Sequence, residues 1–224
     1  MRWYAIFPVL VLAMAMIGCT PAGWKTRQVL PAELADWQVV GIGRVELTEG
    51  GEVKLTEGAG SAGVVLLSSA TYGPEVILRF QAKPLQFEGV CVVLLDVSAV
   101  DGGPLTIPRH YDGNWDFWQA PGGTVRNYAF AFHAAYHQPN AFVVQNPGLQ
   151  DIDRESDVAS QQRWYDIEIG CRDGQAWMKI NGLEVLEGAV LGDPLPAGRI
   201  GLRLRGPGDG TFSCLYRNLR IEQP

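Results

Sequence analysis

Residues 164–186 read WYDIEIGCRDGQAWMKINGLEVL, and they have the pattern of three short strands separated by two tight turns. Over 164–171 polar and apolar side chains alternate. Tyr165, Ile167, Ile169 and Cys171 fall on one face, and Trp164, Asp166 and Glu168 on the other. A period of two is what a strand with one buried and one wet face requires. Arg172-Asp173-Gly174 turns the chain, 175–180 returns it, and Asn181-Gly182 turns it again into 183–186. Asn-Gly and Asp-Gly accept the positive φ of two-residue hairpins. Asp166 and Glu168 are therefore expected on a solvent-facing strand.

The same punctuation extends in both directions. Stretches 44–48 and 52–56 alternate around Glu49-Gly50-Gly51, a hairpin signal, and 63–68, 75–82 and 89–97 follow as strands. The last of these contains GVCVVLLDV, apolar on both faces, as expected for a central strand. A loop-rich region at 98–123 interrupts the pattern; strands resume at 127–134 and 140–145, and later at 199–204 and 212–221. With no long 3.6-residue periodicity beyond the N-terminus, about a dozen strands predict an all-β, two-sheet antiparallel jelly-roll sandwich over 37–224. The 27 glycines and 14 prolines fit many strands joined by many turns.

The formal charge of −6, with four lysines, argues against a nucleic-acid partner, which needs a basic face. The first nineteen residues read as a targeting segment outside the fold. Arg2 precedes an apolar run from Tyr4 to Ile17 that falls short of the roughly 20 residues of a spanning helix. Met16-Ile17-Gly18-Cys19 follows and resembles the bacterial lipoprotein box. That resemblance implies cleavage and acylation at Cys19, a mature chain tethered to a membrane surface through lipid, and a cell-envelope, extracytoplasmic location. Residues 20–36, polar and proline-containing, are expected to be a tether. Cys91, Cys171 and Cys214 sit in apolar strand patterns and read as small buried residues, with one disulfide among them left open. No metal or cofactor site is expected, because none of these cysteines has metal-finger spacing and the glycine-rich 206–210 reads as a turn.

Polar and aromatic chemistry concentrates at 109–148, RHYDGNWDFWQAPGGTVRNYAFAFHAAYHQPNAFVVQNPG, which holds His110, His133 and His137. Strict alternation over 127–135 places Tyr128, Phe130 and Phe132 on a core face. Asn127, Ala129, Ala131 and His133 then line a shallow groove. Tyr111, Trp115, Trp118, Arg126, Asn127, His133 and Gln145 are the candidate ligand contacts, since aromatic faces and amide or guanidinium donors are what sugars need. His133, Tyr136 and Arg126 also include the residue types of an elimination site, a base, an acid and a neutraliser of a carboxylate. A glycosidase needs two facing carboxyl groups, for which Asp151, Asp153 and Glu155 are the candidates, although that segment reads as a solvated acidic loop. The same acids lack the glycine and terminal glutamate of an EF-hand calcium loop.

The order of motifs in the C-terminal third, W-Y at 164, D-G and N-G hairpins, Gly198-Arg199-Ile200-Gly201-Leu202 and Tyr216-Arg217-Asn218-Leu219-Arg220-Ile221, resembles the concanavalin A-like lectin/glucanase superfamily. With Asn127-Tyr128-Ala129-Phe130, Asn140-Ala141-Phe142 and Gln145-Asn146-Pro147-Gly148 it resembles the bacterial DUF1961-like and DUF6250-like families of unknown function. The resemblance covers roughly 63–221 and implies a carbohydrate ligand lying across the concave sheet. Two functions are therefore expected: a lipid-anchored glycan binder, or a carbohydrate-active enzyme of the polysaccharide lyase type.

Overall fold

The computed structural model describes residues 23–134, 141–156 and 162–224. Cys19, Tyr136 and His137 lie outside them. In chain order the elements are β1 (Lys25–Gln28), α1 (Pro31–Ala35), β2 (Gln38–Gly41), β3 (Gly43–Leu47), β4 (Val53–Glu57), β5 (Val64–Leu67), β6 (Val76–Pro84), β7 (Val90–Ala99) and α2 (Asp116–Gln119). Then come β8 (Val125–Ala134), β9 (Ala141–Asn146), β10 (Gln150–Glu155), β11 (Tyr165–Arg172), β12 (Gln175–Ile180), β13 (Leu183–Ala189), β14 (Arg199–Arg205) and β15 (Ser213–Gln223).

They form two antiparallel sheets, as expected. One has eight strands in the order β13-β12-β11-β6-β15-β4-β3, with β1 paired to the far end of β15; the other has seven, in the order β10-β9-β8-β7-β14-β5-β2. The opening hairpin pairs Gly170 with Trp177 and Glu168 with Lys179, and β11 continues onto β6 with Glu168 opposite Arg79 and Asp166 opposite Gln81. The layer between the sheets is filled from both sides by alternate residues. Cys91, Val93 and Leu95 of β7 point into it together with Tyr128, Phe130 and Phe132 of β8, Leu78 and Phe80 of β6, Ile167 and Ile169 of β11, and Tyr216 of β15.

The other face of β7 is also buried. Val90, Val92 and Leu94 belong to a second apolar cluster with Ala129, Ala131, Val144 and Trp118, roofed by Leu105, Ile107, Tyr111, Trp115 and Phe117 of the 100–124 loop. This explains why 89–97 reads as apolar throughout.

The expected tether at 20–36 is corrected over its described part. Lys25–Gln28 pairs with β15, α1 follows, and Val29, Leu34 and Trp37 are buried in the main core. The order begins earlier because one buried leucine and one valine suffice to dock a segment that looks polar overall. Cys91, Cys171 and Cys214 are all buried, and no disulfide joins any two of them.

Candidate functional site

The face expected to hold a ligand is already occupied by the protein itself. Trp118, in α2, is fully buried against the alanine row of β8. Asn127 is buried beside it, and its Nδ2 donates to the Trp118 carbonyl at 2.9 Å while its Oδ1 accepts from Asn146 Nδ2 at 3.0 Å. With no surface exposed, this amide is a fastening for the loop and lies out of a ligand's reach. Trp115 packs on the buried Arg203 guanidinium at 4.8 Å, and Arg203 Nη2 donates to the carbonyls of Ala62 and Gly113, both at 3.1 Å. Burial lowers the Arg203 pKa to about 10. Tyr111 packs on Phe117 and donates to the Asn114 carbonyl at 2.5 Å. Arg126 donates to the Ser98 hydroxyl and the Ala99 carbonyl, and the Gln145 amide is tied to the backbone of Leu191 at both ends. The structure brings Tyr111, Trp115, Trp118 and Asn127 together, as the inner lining of a closed lid.

His133 departs from the expected groove for a local reason. In the β7–β8 ladder Cys91 pairs with His133 but Val92 pairs with Ala131, so Phe132 is an extra residue, a β-bulge. The bulge shifts the alternation by one. His133 therefore shares a side with Cys91 and faces the inter-sheet layer, where it is 1% exposed, stacked on Phe212 and in contact with Phe87. Its Nε2–H donates to the Phe87 carbonyl at 3.0 Å. Arg126 lies seven residues away on the same strand, roughly 20 Å at strand rise. The elimination set expected from His133, Tyr136 and Arg126 is not assembled by the described residues.

The acidic segment Asp151–Glu155 is a strand, β10, where a loop was expected. Its carboxylates are used locally. Asp151 accepts from Arg154, and Asp153 accepts the backbone N–H of Glu187, stitching β10 to β13 across the open edge of the sandwich.

The outer face of the eight-stranded sheet, by contrast, stays open and carries a continuous ladder of fixed polar groups. Trp177 of β12 lies over Gly170 of β11; a Cβ there would stand 2.1 Å from the indole Cζ2, so the ring can lie flat only because the residue beneath it is glycine. The indole Nε1–H donates to Glu168 Oε1 at 3.1 Å, and Glu168 Oε2 accepts from Arg79 Nε at 2.9 Å. Arg79 Nη1 bonds Glu222, and Lys179 stands 3.7 Å from Glu168. Burial pushes the Glu168 carboxyl up, but the bonds from Arg79 and Trp177 and the charges of Arg79 and Lys179 outweigh it, holding it below the usual carboxylate range. Two residues further along the strands, Gln81 donates to Asp166 at 2.7 Å and accepts from Arg217 Nε at 2.7 Å and from Asn218 at 3.1 Å. The Arg217 guanidinium caps Trp164 at 4.0 Å. Gly170 and Trp164 are six residues apart, so the two half-buried indoles bracket this ladder over about 20 Å.

Of this strip, the sequence placed Trp164, Asp166 and Glu168 correctly on one wet face. Trp177, Arg79, Gln81 and Arg217 were missed, because their neighbours come from pairing across β12-β11-β6-β15. A signal was present, however, in the glycine at 170 in a strand interior, which marks a close approach of another group.

No protein-family model matches the chain, and no curated protein matches it in sequence. Solved structures do match in shape. A Bacillus subtilis protein of unknown function with a galectin-like fold superposes with a TM-score of 0.74 at 19% identity, covering 86% of this chain and 91% of that one. The carbohydrate-binding module CBM66 from Bacillus subtilis gives 0.52 at 11%, covering 90% and 96%, and a Bacillus licheniformis β-glucanase gives 0.55 at 12%, covering 90% and 92%. At these identities the likeness is one of fold. The chain has the galectin-like, concanavalin A-like jelly-roll sandwich.

Proposed function

We propose that this chain is a carbohydrate-binding sandwich that holds an extended glycan along the outer face of its eight-stranded sheet. The observation that carries this reading is the Trp177 indole, laid flat on Gly170 and locked at Nε1 by a carboxylate that Arg79 in turn holds. An indole face stacks on the apolar face of a sugar ring, and a preset carboxylate–guanidinium pair meets vicinal hydroxyls without losing side-chain freedom on binding. Further along, Gln81, Asp166 and the Arg217 guanidinium that caps Trp164 continue the row of fixed polar groups. Solved neighbours described as a carbohydrate-binding module and as lectin recognition domains support the choice of ligand class.

The test is isothermal titration with a panel of soluble oligosaccharides. Trp177→Ala should weaken binding about tenfold or more, the size expected for a central aromatic contact. Should Trp177→Ala bind every active sugar as well as the parent does, the strip is not the site. The proposal extends to a tether: acylation at Cys19 would hold the domain at an envelope membrane. Fractionation of cells expressing Cys19→Ala checks it, since the variant should leave the membrane fraction; retention there would rule the lipid anchor out.

A further inference from the structure

On its β6–β15 side the strip holds cations that, among the described residues, no carboxylate pairs with, whereas Glu184 and Glu187 stand opposite Lys179 and Trp177 at its other end. Along its β6–β15 side the outward residues pair in register as Lys83 with Leu215, Gln81 with Arg217 and Arg79 with Arg220. Arg79 is already held by two carboxylates, Glu168 and Glu222. The other cations are not so engaged. Arg217 bonds the neutral Gln81 and lies on Trp164, and among the described residues neither Lys83, Arg217 nor Arg220 takes part in an ion pair. The Glu52 pKa is lowered first by its bond from the Thr48 hydroxyl at 2.5 Å and less by the charges of Arg217 and Lys83, but among the described residues Glu52 forms no ion pair with either, and Asp166 accepts from Gln81. Arg220 stands directly opposite Arg79, and the two carboxylates there are bonded to Arg79, so Arg220 adds a cation without an ion-pair partner among the described residues. In a chain of net charge −6 such a row stands out against the overall balance.

We propose that the glycan bound by this strip is anionic, with carboxylate or sulfate groups that sit on Lys83, Arg217 and Arg220 while a ring stacks on Trp177. This inference rests on the binding reading above and adds the charge of the ligand to it. Arginine suits the task because its planar fork matches a carboxylate or sulfate edge. Trp164 beneath Arg217 presents the guanidinium at a fixed height above the sheet.

The experiment compares one neutral oligosaccharide with a uronate-containing and a sulfated oligosaccharide of similar length, by isothermal titration in about 0.1 M and about 1 M salt. Over that range the screening length falls from about 10 Å to about 3 Å. The anionic ligands should bind more tightly at the lower salt and lose most of that advantage at the higher. Lys83→Gln and Arg220→Gln should each weaken anionic binding about two- to fivefold, as expected for an exposed charge contact, and should leave neutral binding unchanged. Arg109→Gln, on the opposite side of the sandwich, should change nothing. Equal affinity for neutral and anionic ligands, with sensitivity to Trp177→Ala retained, overturns the inference and leaves the binding site standing. Binding of no glycan overturns both. Binding to vesicles of anionic phospholipid with no glycan binding overturns the inference in favour of a lipid surface. If one arm binds, the preference between uronate and sulfate names the group.

Discussion

Asp96 is the residue whose environment departs furthest from its chemistry. It lies in the second bulge of the β7–β8 ladder, with φ of 55°, 1% exposed, and neither carboxylate oxygen has a hydrogen-bond partner among the described residues. Burial raises its pKa from 3.8 to about 8. The Cys171 thiol close by is pushed up to about 12, by burial first and by the Asp96 charge second, and the Tyr128 hydroxyl, which accepts the Leu195 N–H, is raised for the same two reasons among others. A carboxyl group whose folded pKa lies above its unfolded value contributes stability that is complete below pH 3.8 and is lost as pH rises towards 8. The shift corresponds to a loss on the order of 5 kcal/mol across that window. Asp96→Asn keeps the left-handed backbone, which asparagine tolerates, and cannot ionise. Urea melts at pH 5 and pH 8 should show the variant gaining on the parent as pH rises; parallel profiles for the two proteins would mean that Asp96 has a counter-charge. The Glu168 carboxylate, held below its usual range, works in the opposite sense and loses its contribution as pH falls through the acid range.

At the scale of elements, the 100–124 loop decides which face can work. α2 is a single short turn, yet Trp118 within it fills the space over Ala129 and Ala131, and Asn127 holds its carbonyl. Trp118→Ala should cost about 3–5 kcal/mol of stability, as for other buried aromatic truncations, and leave glycan affinity in the folded fraction unchanged. Chemical denaturation and titration on one preparation measure both. A stable variant that has lost its ligand would return the site to this face. Twelve of the strands were legible as alternation bounded by turns, because a half-buried sheet writes its two faces into the sequence. Those missed were β1, β2 and β10, edge strands that stay largely exposed and so carry no buried face to write an apolar alternation. The small-residue row in β8 reads as an open groove for a sugar ring, but Trp118 of the loop fills it, and composition cannot tell such a loop from a ligand. His133 was misplaced by one inserted residue at Phe132, since parity arguments fail at a bulge and nothing local announces one.

For the whole molecule, the two sheets have divided their duties. The central strands of the seven-stranded sheet are buried on both faces, between the inter-sheet core and the 100–124 loop. The eight-stranded sheet has one face in the core and one free, and that free face holds the Trp177–Glu168–Arg79 lock and the Gln81–Arg217–Trp164 cap. A fold shared with binding modules and glucanases does not by itself say which face is used. The face proposed for the ligand is the one that the chain leaves uncovered. The indole N–H signals in a two-dimensional nitrogen–proton NMR titration with a bound oligosaccharide test this most directly. The account predicts that the Trp177 and Trp164 resonances shift with ligand while that of Trp118 stays in place. Movement of Trp118 and Trp115 with Trp177 and Trp164 silent would contradict it, and would place the ligand under the loop.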